Sequence, residues 1–168
     1  MTAKSGLTWS LLLALLLTAV PASAKKPPVG DIAPDFTLRS DGRFNLRLEE
    51  QKGYVMLVGF WASWCRSCPN QLKALDALGK KYGDKGVRVW GITLDKDFDE
   101  ARRYISKHDL QITILQDSEV AVSERYDIDD LPATFVVDRD GKLRLMSEGF
   151  NPGDDDQLDQ FLQTLVNE

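Results

Sequence analysis

Residues Tyr54 to Pro69, YVMLVGFWASWCRSCP, decide how the rest of the chain is read. The first seven, Tyr54 to Phe60, form an unbroken apolar run of strand length, which predicts a central strand covered on both faces. The chain's only two cysteines, Cys65 and Cys68, follow at once. From Cys68 to about Tyr82 the apolar residues Leu72, Leu75 and Leu78, with Ala74, recur at helical spacing, and Gly83 stands where a helix ends. A strand running straight into a helix puts Cys65 at or near the helix N-cap and Cys68 one turn inside.

At that point the unpaired backbone N–H groups and the positive end of the helix dipole favour a thiolate on Cys65. Cys65 is therefore the expected nucleophile and Cys68, three residues on, the resolving thiol. Arg66 adds a permanent cation beside Cys65 if its side chain folds back; as a solvated residue on an exposed turn it adds nothing. Pro69 is tolerated in a first helical turn, where a missing N–H costs little. A purely structural bridge is a poor reading, because so short a loop hardly constrains the unfolded chain. A zinc site would need two further ligands, and with one histidine, His108, and no third cysteine it is a poor reading. No cofactor is expected beyond the redox couple formed by Cys65 and Cys68.

Working outward, Phe36 to Arg39 and Phe44 to Leu48 alternate apolar and polar residues around Asp41-Gly42, a hairpin signal. Val87 to Ile92 reads as the next strand, and Asp97 followed by Glu100 resembles a capping box opening a helix that carries Ala101, Tyr104 and Ile105. Ile112 to Leu115 is a short strand, and Ser118 is placed to cap a brief helix reaching Tyr126. Ala133 to Val137 and Leu143 to Met146 flank Asp140-Gly141 as a second hairpin. Leu158, Phe161, Leu162, Leu165 and Val166 form the apolar stripe of a last helix, whose first turn takes Asp154, Asp155 and Asp156. Alternating strands and helices that end in an antiparallel hairpin imply an α/β domain, a mixed sheet with helices on both faces.

The first 24 residues read as a signal peptide: Lys4, an apolar run from Leu11 to Val20, then Ala22-Ser23-Ala24 for cleavage. An uncleaved N-terminal anchor is the alternative. Cleavage leaves residues 25–168 as one domain and takes the formal charge from −5 to −6. An acidic chain without clustered Lys and Arg argues against a nucleic-acid surface. Far downstream, Pro132 opens an apolar strand; a cis bond there would leave the Leu131 backbone free to pair with an extended thiol substrate.

FWASWCRSC with its preceding strand, Leu131 to Phe135 (LPATF), and the opening GDIAPDFTL of residues 30–38 together resemble exported thioredoxin-like proteins of the TlpA/ResA type, related to the AhpC/TSA redoxins. The resemblance spans about residues 29 to 166. It implies a thioredoxin fold with an N-terminal hairpin extension and thiol-disulfide exchange at Cys65 and Cys68, with Trp64, Arg66, Leu131 and a cis Pro132 beside them. It further implies a periplasmic or otherwise extracytoplasmic reductase of exported partners, apocytochromes c included, re-reduced by a membrane thiol electron donor. A peroxiredoxin would carry threonine at position 62, which is Ala62 here. An oxidase or isomerase on the same fold, and a non-catalytic thiol-binding assembly module, are the alternatives. The chain departs from the pattern at Gly59 and Gln71, where such proteins often place an acid, and at Lys73, where they place a kinking proline. Without either acid, deprotonation of Cys68 depends on water or on a partner.

Overall fold

Every residue of the strand β3 (Val55–Trp61) is buried in the computed structural model, which describes residues 25–42 and 44–168. The expected signal peptide, residues 1–24, lies outside the described residues. β3 is central because its side chains alternate between two apolar layers. Met56, Val58 and Phe60 point into one, Val55, Leu57 and Trp61 into the other.

The remaining strands are β1 (Thr37–Ser40), β2 (Asn45–Arg47), β4 (Val87–Thr93), β5 (Thr113–Gln116), β6 (Ala133–Val137) and β7 (Leu143–Glu148). They join β3 in one sheet of order β2-β1-β5-β4-β3-β6-β7. Its centre, β3 with β4 and β4 with β5, is parallel; β6 and β7 on one side and the β1/β2 hairpin on the other pair antiparallel. The hairpin is thus an extension of the sheet edge through β5, as the resemblance implied.

The helices are α1 (Cys68–Tyr82), α2 (Phe98–Lys107), α3 (Ala121–Arg125) and α4 (Asp154–Leu165). They cover both faces unequally. Leu72, Leu75 and Leu78 of α1, Phe98 and Ala101 of α2, and Leu158 and Leu162 of α4 lie in the layer of Val55 and Trp61. The opposite layer has only Val122 of α3, with Tyr126 just beyond it, and is completed by Ala33, Phe36 and Leu48 from the N-terminal segment. Phe36 packs edge-on against both Trp90 and Tyr126, so the hairpin arm stands in for a helix. Burial pushes the Tyr126 phenol well above its usual range, with Asp35 adding to the effect, and its hydroxyl donates to the Pro34 carbonyl at 2.7 Å.

Three local expectations are corrected. Gly83 follows α1 in a right-handed conformation (φ −54°), continuing into a short turn of tighter helix; the left-handed stop is Gly86 (φ +85°). The carboxylate of Asp97 accepts from the Asp99 N–H at 2.9 Å, a true N-cap, but Glu100 does not reach back and instead donates its backbone N–H to the Asp97 carbonyl. Ser118 does not cap α3. The buried Asp117 does, accepting from the Val122 and Ser123 N–H groups, and a carboxylate satisfies two orphan donors at once where a hydroxyl satisfies one.

Candidate active site

The carboxyl ends of the parallel strands β3 and β4 open onto one edge of the sheet, and the two cysteines stand there. α1 begins at Cys68 with Ser67 at the N-cap and Pro69 inside the first turn. Cys68 is thus the first helical residue, not one turn inside, and Cys65 lies two residues before the cap; Pro69 sets this start, since a proline deeper in the helix would forfeit a hydrogen bond. The electrostatic expectation survives the shift. The Cys68 N–H, one of the four unpaired donors of the helix, points at the Cys65 sulfur at 3.2 Å.

Cys65 and Cys68 are joined in a disulfide, S–S 2.04 Å. Cys65 is half-buried while Cys68 is 1% exposed. The Ser67 hydroxyl lies 3.6 Å from the Cys65 sulfur and also donates weakly, at 3.5 Å, to the Leu131 carbonyl. The Leu131–Pro132 peptide bond is cis. Arg66 is exposed, and no hydrogen bond ties it to Cys65 among the described residues. His108 stands at the C-terminal end of α2, stacked on Tyr104, and no hydrogen bond joins it to the pair among the described residues.

A groove of about 410 Å³ runs along the accessible face of Cys65. Trp64, 66% exposed, and Leu94 give it apolar walls on the cysteine side, and Ile128 and Leu131 do so opposite. Arg66 sits on the first wall, Asp129 and Asp130 on the second.

Gly59 and Gln71, the two positions where the resembling proteins often place acids, form one feature here. Gln71 is fully buried in α1 and reaches across to the start of β6, where its side-chain N–H₂ donates to the Ala133 carbonyl at 2.7 Å and the Thr134 hydroxyl at 2.9 Å. Thr134 is the register partner of Gly59 on β3. A Cβ on Gly59 would lie 2.5 Å from Leu75 Cδ1 and 3.1 Å from Gln71 Nε2. The space a side chain at 59 would need is already filled by α1. A neutral amide therefore ties the cysteine-bearing helix to the residue after Pro132, and its Oε1 has no hydrogen-bond partner.

This geometry predicts the outcome of Gln71→Glu. A carboxylate cannot donate to the Ala133 carbonyl and would be buried without a cation, so its folded pKa lies above the unfolded value of about 4.3. A raised folded pKa means that the native state holds the extra proton, so the penalty is smallest below the unfolded pKa and grows as pH rises through the folded one. The expected loss is about 1 kcal/mol at pH 4 and about 3 kcal/mol at pH 7. Urea unfolding at the two pH values checks this; equal losses would show that the side chain escapes to solvent.

Asp95 escaped sequence reasoning, because an aspartate after an apolar strand reads as an ordinary turn residue. It is 2% exposed, and its carboxylate accepts from the Ser63 N–H at 3.0 Å, the Ser63 hydroxyl at 2.9 Å and the Thr93 hydroxyl at 2.8 Å. It anchors the end of β4 to the loop that carries Cys65. No local pattern could have shown this, since Asp95 and Ser63 are 32 residues apart.

Residues 29–146 match the family model described as the AhpC/TSA family. The chain is 25% identical over 147 residues to the thiol-disulfide oxidoreductase ResA of Bacillus cereus, covering 86% of this chain and 83% of that protein. It is 31% identical over 117 residues to the thioredoxin-like protein YneN of Bacillus subtilis, 68% of each. Among solved structures it superposes on a candidate thiol:disulfide interchange protein DsbE from Chlorobium tepidum with TM-score 0.79 and 29% identity, covering 83% of this chain and 98% of that one.

Proposed function

The chain belongs to the AhpC/TSA family, and on that premise we propose that it is an extracytoplasmic protein disulfide reductase working through Cys65 and Cys68. The observation that carries the proposal is the asymmetry of the pair: an accessible sulfur that faces a helix N–H and a buried one behind it. In the dithiol form the Cys68 N–H and the α1 dipole hold Cys65 as thiolate. That thiolate attacks one sulfur of a partner disulfide, forming a mixed disulfide and releasing the partner's other sulfur as thiolate. Cys68, after losing its proton, then attacks the Cys65 sulfur and releases the second partner thiolate. Two electrons pass to the partner, and the protein is left as the Cys65–Cys68 disulfide. Return to the dithiol takes two electrons from a thiol donor, for which a membrane carrier is the natural class outside the cytoplasm.

The TlpA/ResA resemblance and the signal-like residues 1–24 support the compartment and the reducing direction. No helix among the described residues is long and apolar enough to cross a membrane. With Gln71 in place of an acid, Cys68 gives its proton to water or to the partner, so the second attack is the slow step near neutral pH. Trp64 and Leu131 flank the reacting sulfurs as the apolar contacts of the partner chain.

A redox titration of residues 25–168 against glutathione and dithiothreitol buffers, paired with an insulin reduction assay, tests the direction of flow. The expected potential is at or below roughly −220 mV. A value near that of strong oxidants, roughly −120 mV, would reassign the protein as an oxidase, and no exchange at all would favour a thiol-binding assembly module.

A further inference from the structure

The wall of the groove that faces Cys65 carries a charge pattern that the exchange chemistry does not need. Asp129 and Asp130 are exposed on it, and among the described residues neither carboxylate has a cation within ion-pairing distance. Immediately beside them the same surface already holds a lysine of this chain. The Lys26 ammonium pairs with Glu148 at 2.7 Å, and the Lys26 backbone N–H donates to Asp127 at 3.2 Å. Glu148 also accepts from the Asp129 N–H, so Lys26 and the Asp129 backbone share one carboxylate. Its bond to Glu148 raises the Lys26 pKa, and Asp129 and Asp127 add to the effect across the surface. A cation of this chain thus already sits against this acidic surface, paired with Glu148 on β7 and within the field of Asp127 and Asp129.

The opposite wall is suited to the same guest. The exposed Trp64 ring and Leu94 offer an apolar surface on which the methylene stem of a lysine or arginine can lie, and Trp64 can take a cation against its face. Arg66, the one cation lining the groove, follows Cys65 in the chain and forms no ion pair with Asp129 or Asp130 among the described residues. A partner segment that brings a cation to Asp129 and Asp130 is attracted there, while Arg66 disfavours a cation placed beside Cys65.

We propose that the groove selects partner segments in which a lysine or arginine lies within a few residues of the reacting cysteine, with Asp129 and Asp130 receiving the cation. This recognition rests on the oxidoreductase reading of the Cys65–Cys68 site and names the partner class for it. It leaves the electron balance unchanged, since the acids act on encounter and orientation and take no part in sulfur exchange.

The test uses three peptides with the same internal disulfide, flanked by Lys, Gln or Glu. Reduction by the dithiol protein is followed at 20 mM and 500 mM salt, and each kcat/KM is divided by that peptide's rate constant with dithiothreitol alone, which removes intrinsic differences in reactivity. The expected normalised preference for Lys over Gln is about tenfold at low salt, with Glu below Gln, and it shrinks toward parity at high salt as screening takes hold. In Asp129→Asn/Asp130→Asn the Lys-to-Gln ratio falls to within about twofold. Both positions are exposed, so the variant is expected to keep its fold, and its unfolding midpoint is measured alongside. Equal rates for the three peptides, or a Lys preference that persists in the double variant, would overturn the recognition while leaving the oxidoreductase reading intact. Failure of the native protein to exchange even with neutral hydroxyethyl disulfide would overturn both.

Discussion

Cys65→Ser is expected to abolish disulfide exchange, lowering the rate on the order of a thousandfold or more, because it removes the only sulfur a partner can reach. Cys68→Ser is expected to behave differently. Its Cys65 retains both the thiol and the helix N–H that stabilises the thiolate, so the first attack proceeds and the second cannot. A covalent mixed disulfide between Cys65 and the partner should accumulate, visible by mass spectrometry and reversed by dithiothreitol. The burial of Cys68 behind Cys65 makes the roles unequal, and swapping them would require opening the first turn of α1. Mixed disulfides forming on Cys68 in Cys65→Ser, at a rate comparable with those on Cys65 in Cys68→Ser, would show that the assigned roles are wrong.

The second large effect concerns stability. Gly59→Asp, the substitution that would supply the acid common in related thioredoxins, is expected to destabilise the chain by roughly 3 to 5 kcal/mol. Its Cβ alone would stand 2.5 Å from Leu75 Cδ1, and the carboxylate beyond would be buried without a cation beside the neutral side chains of Gln71 and Thr134. Gly59→Ala isolates the steric part and should cost about 1 to 3 kcal/mol. Gly83→Ala, in helical backbone with nothing within 4 Å of the added methyl, serves as the control and should be neutral or slightly stabilising. Chemical unfolding of Gly59→Ala, Leu75→Ala and the double variant supplies the check. If Leu75 is what the methyl strikes, the double loses clearly less than the two singles combined. Additive losses would mean that the strain lies elsewhere.

The two predictions bear on different parts of one design. The thioredoxin-like frame brings two sulfurs to the end of β3, and Gln71 braces that end without offering a base. The neutral brace goes with a tight fit of α1 on β3, which is why Gln71→Glu and Gly59→Asp are expected to cost stability.

Much of this was legible along the chain because it is written in short-range patterns. An unbroken apolar run needs two covered faces, so β3 was readable as the central strand; apolar residues at helical spacing made α1 and α4 readable; alternating residues around Asp-Gly turns made both hairpins readable. The identity of the redox pair also followed locally, from two cysteines three apart at a strand-helix junction in a chain with one histidine. Tertiary structure alone decided the rest. Which helices share a face and the use of the hairpin arm in place of a helix over Trp90 depend on neighbours that no local window contains, whereas the choice of Asp117 over Ser118 as the cap of α3 is local but turns on backbone geometry that composition does not record. The same holds for the hold of Asp95 on Ser63, for the Gln71 bridge to Ala133 and Thr134, and for a groove assembled from residues 64–67, 94 and 128–131. Those contacts join segments dozens of residues apart, and their energies come from excluded volume and satisfied buried polar groups, which periodicity does not record.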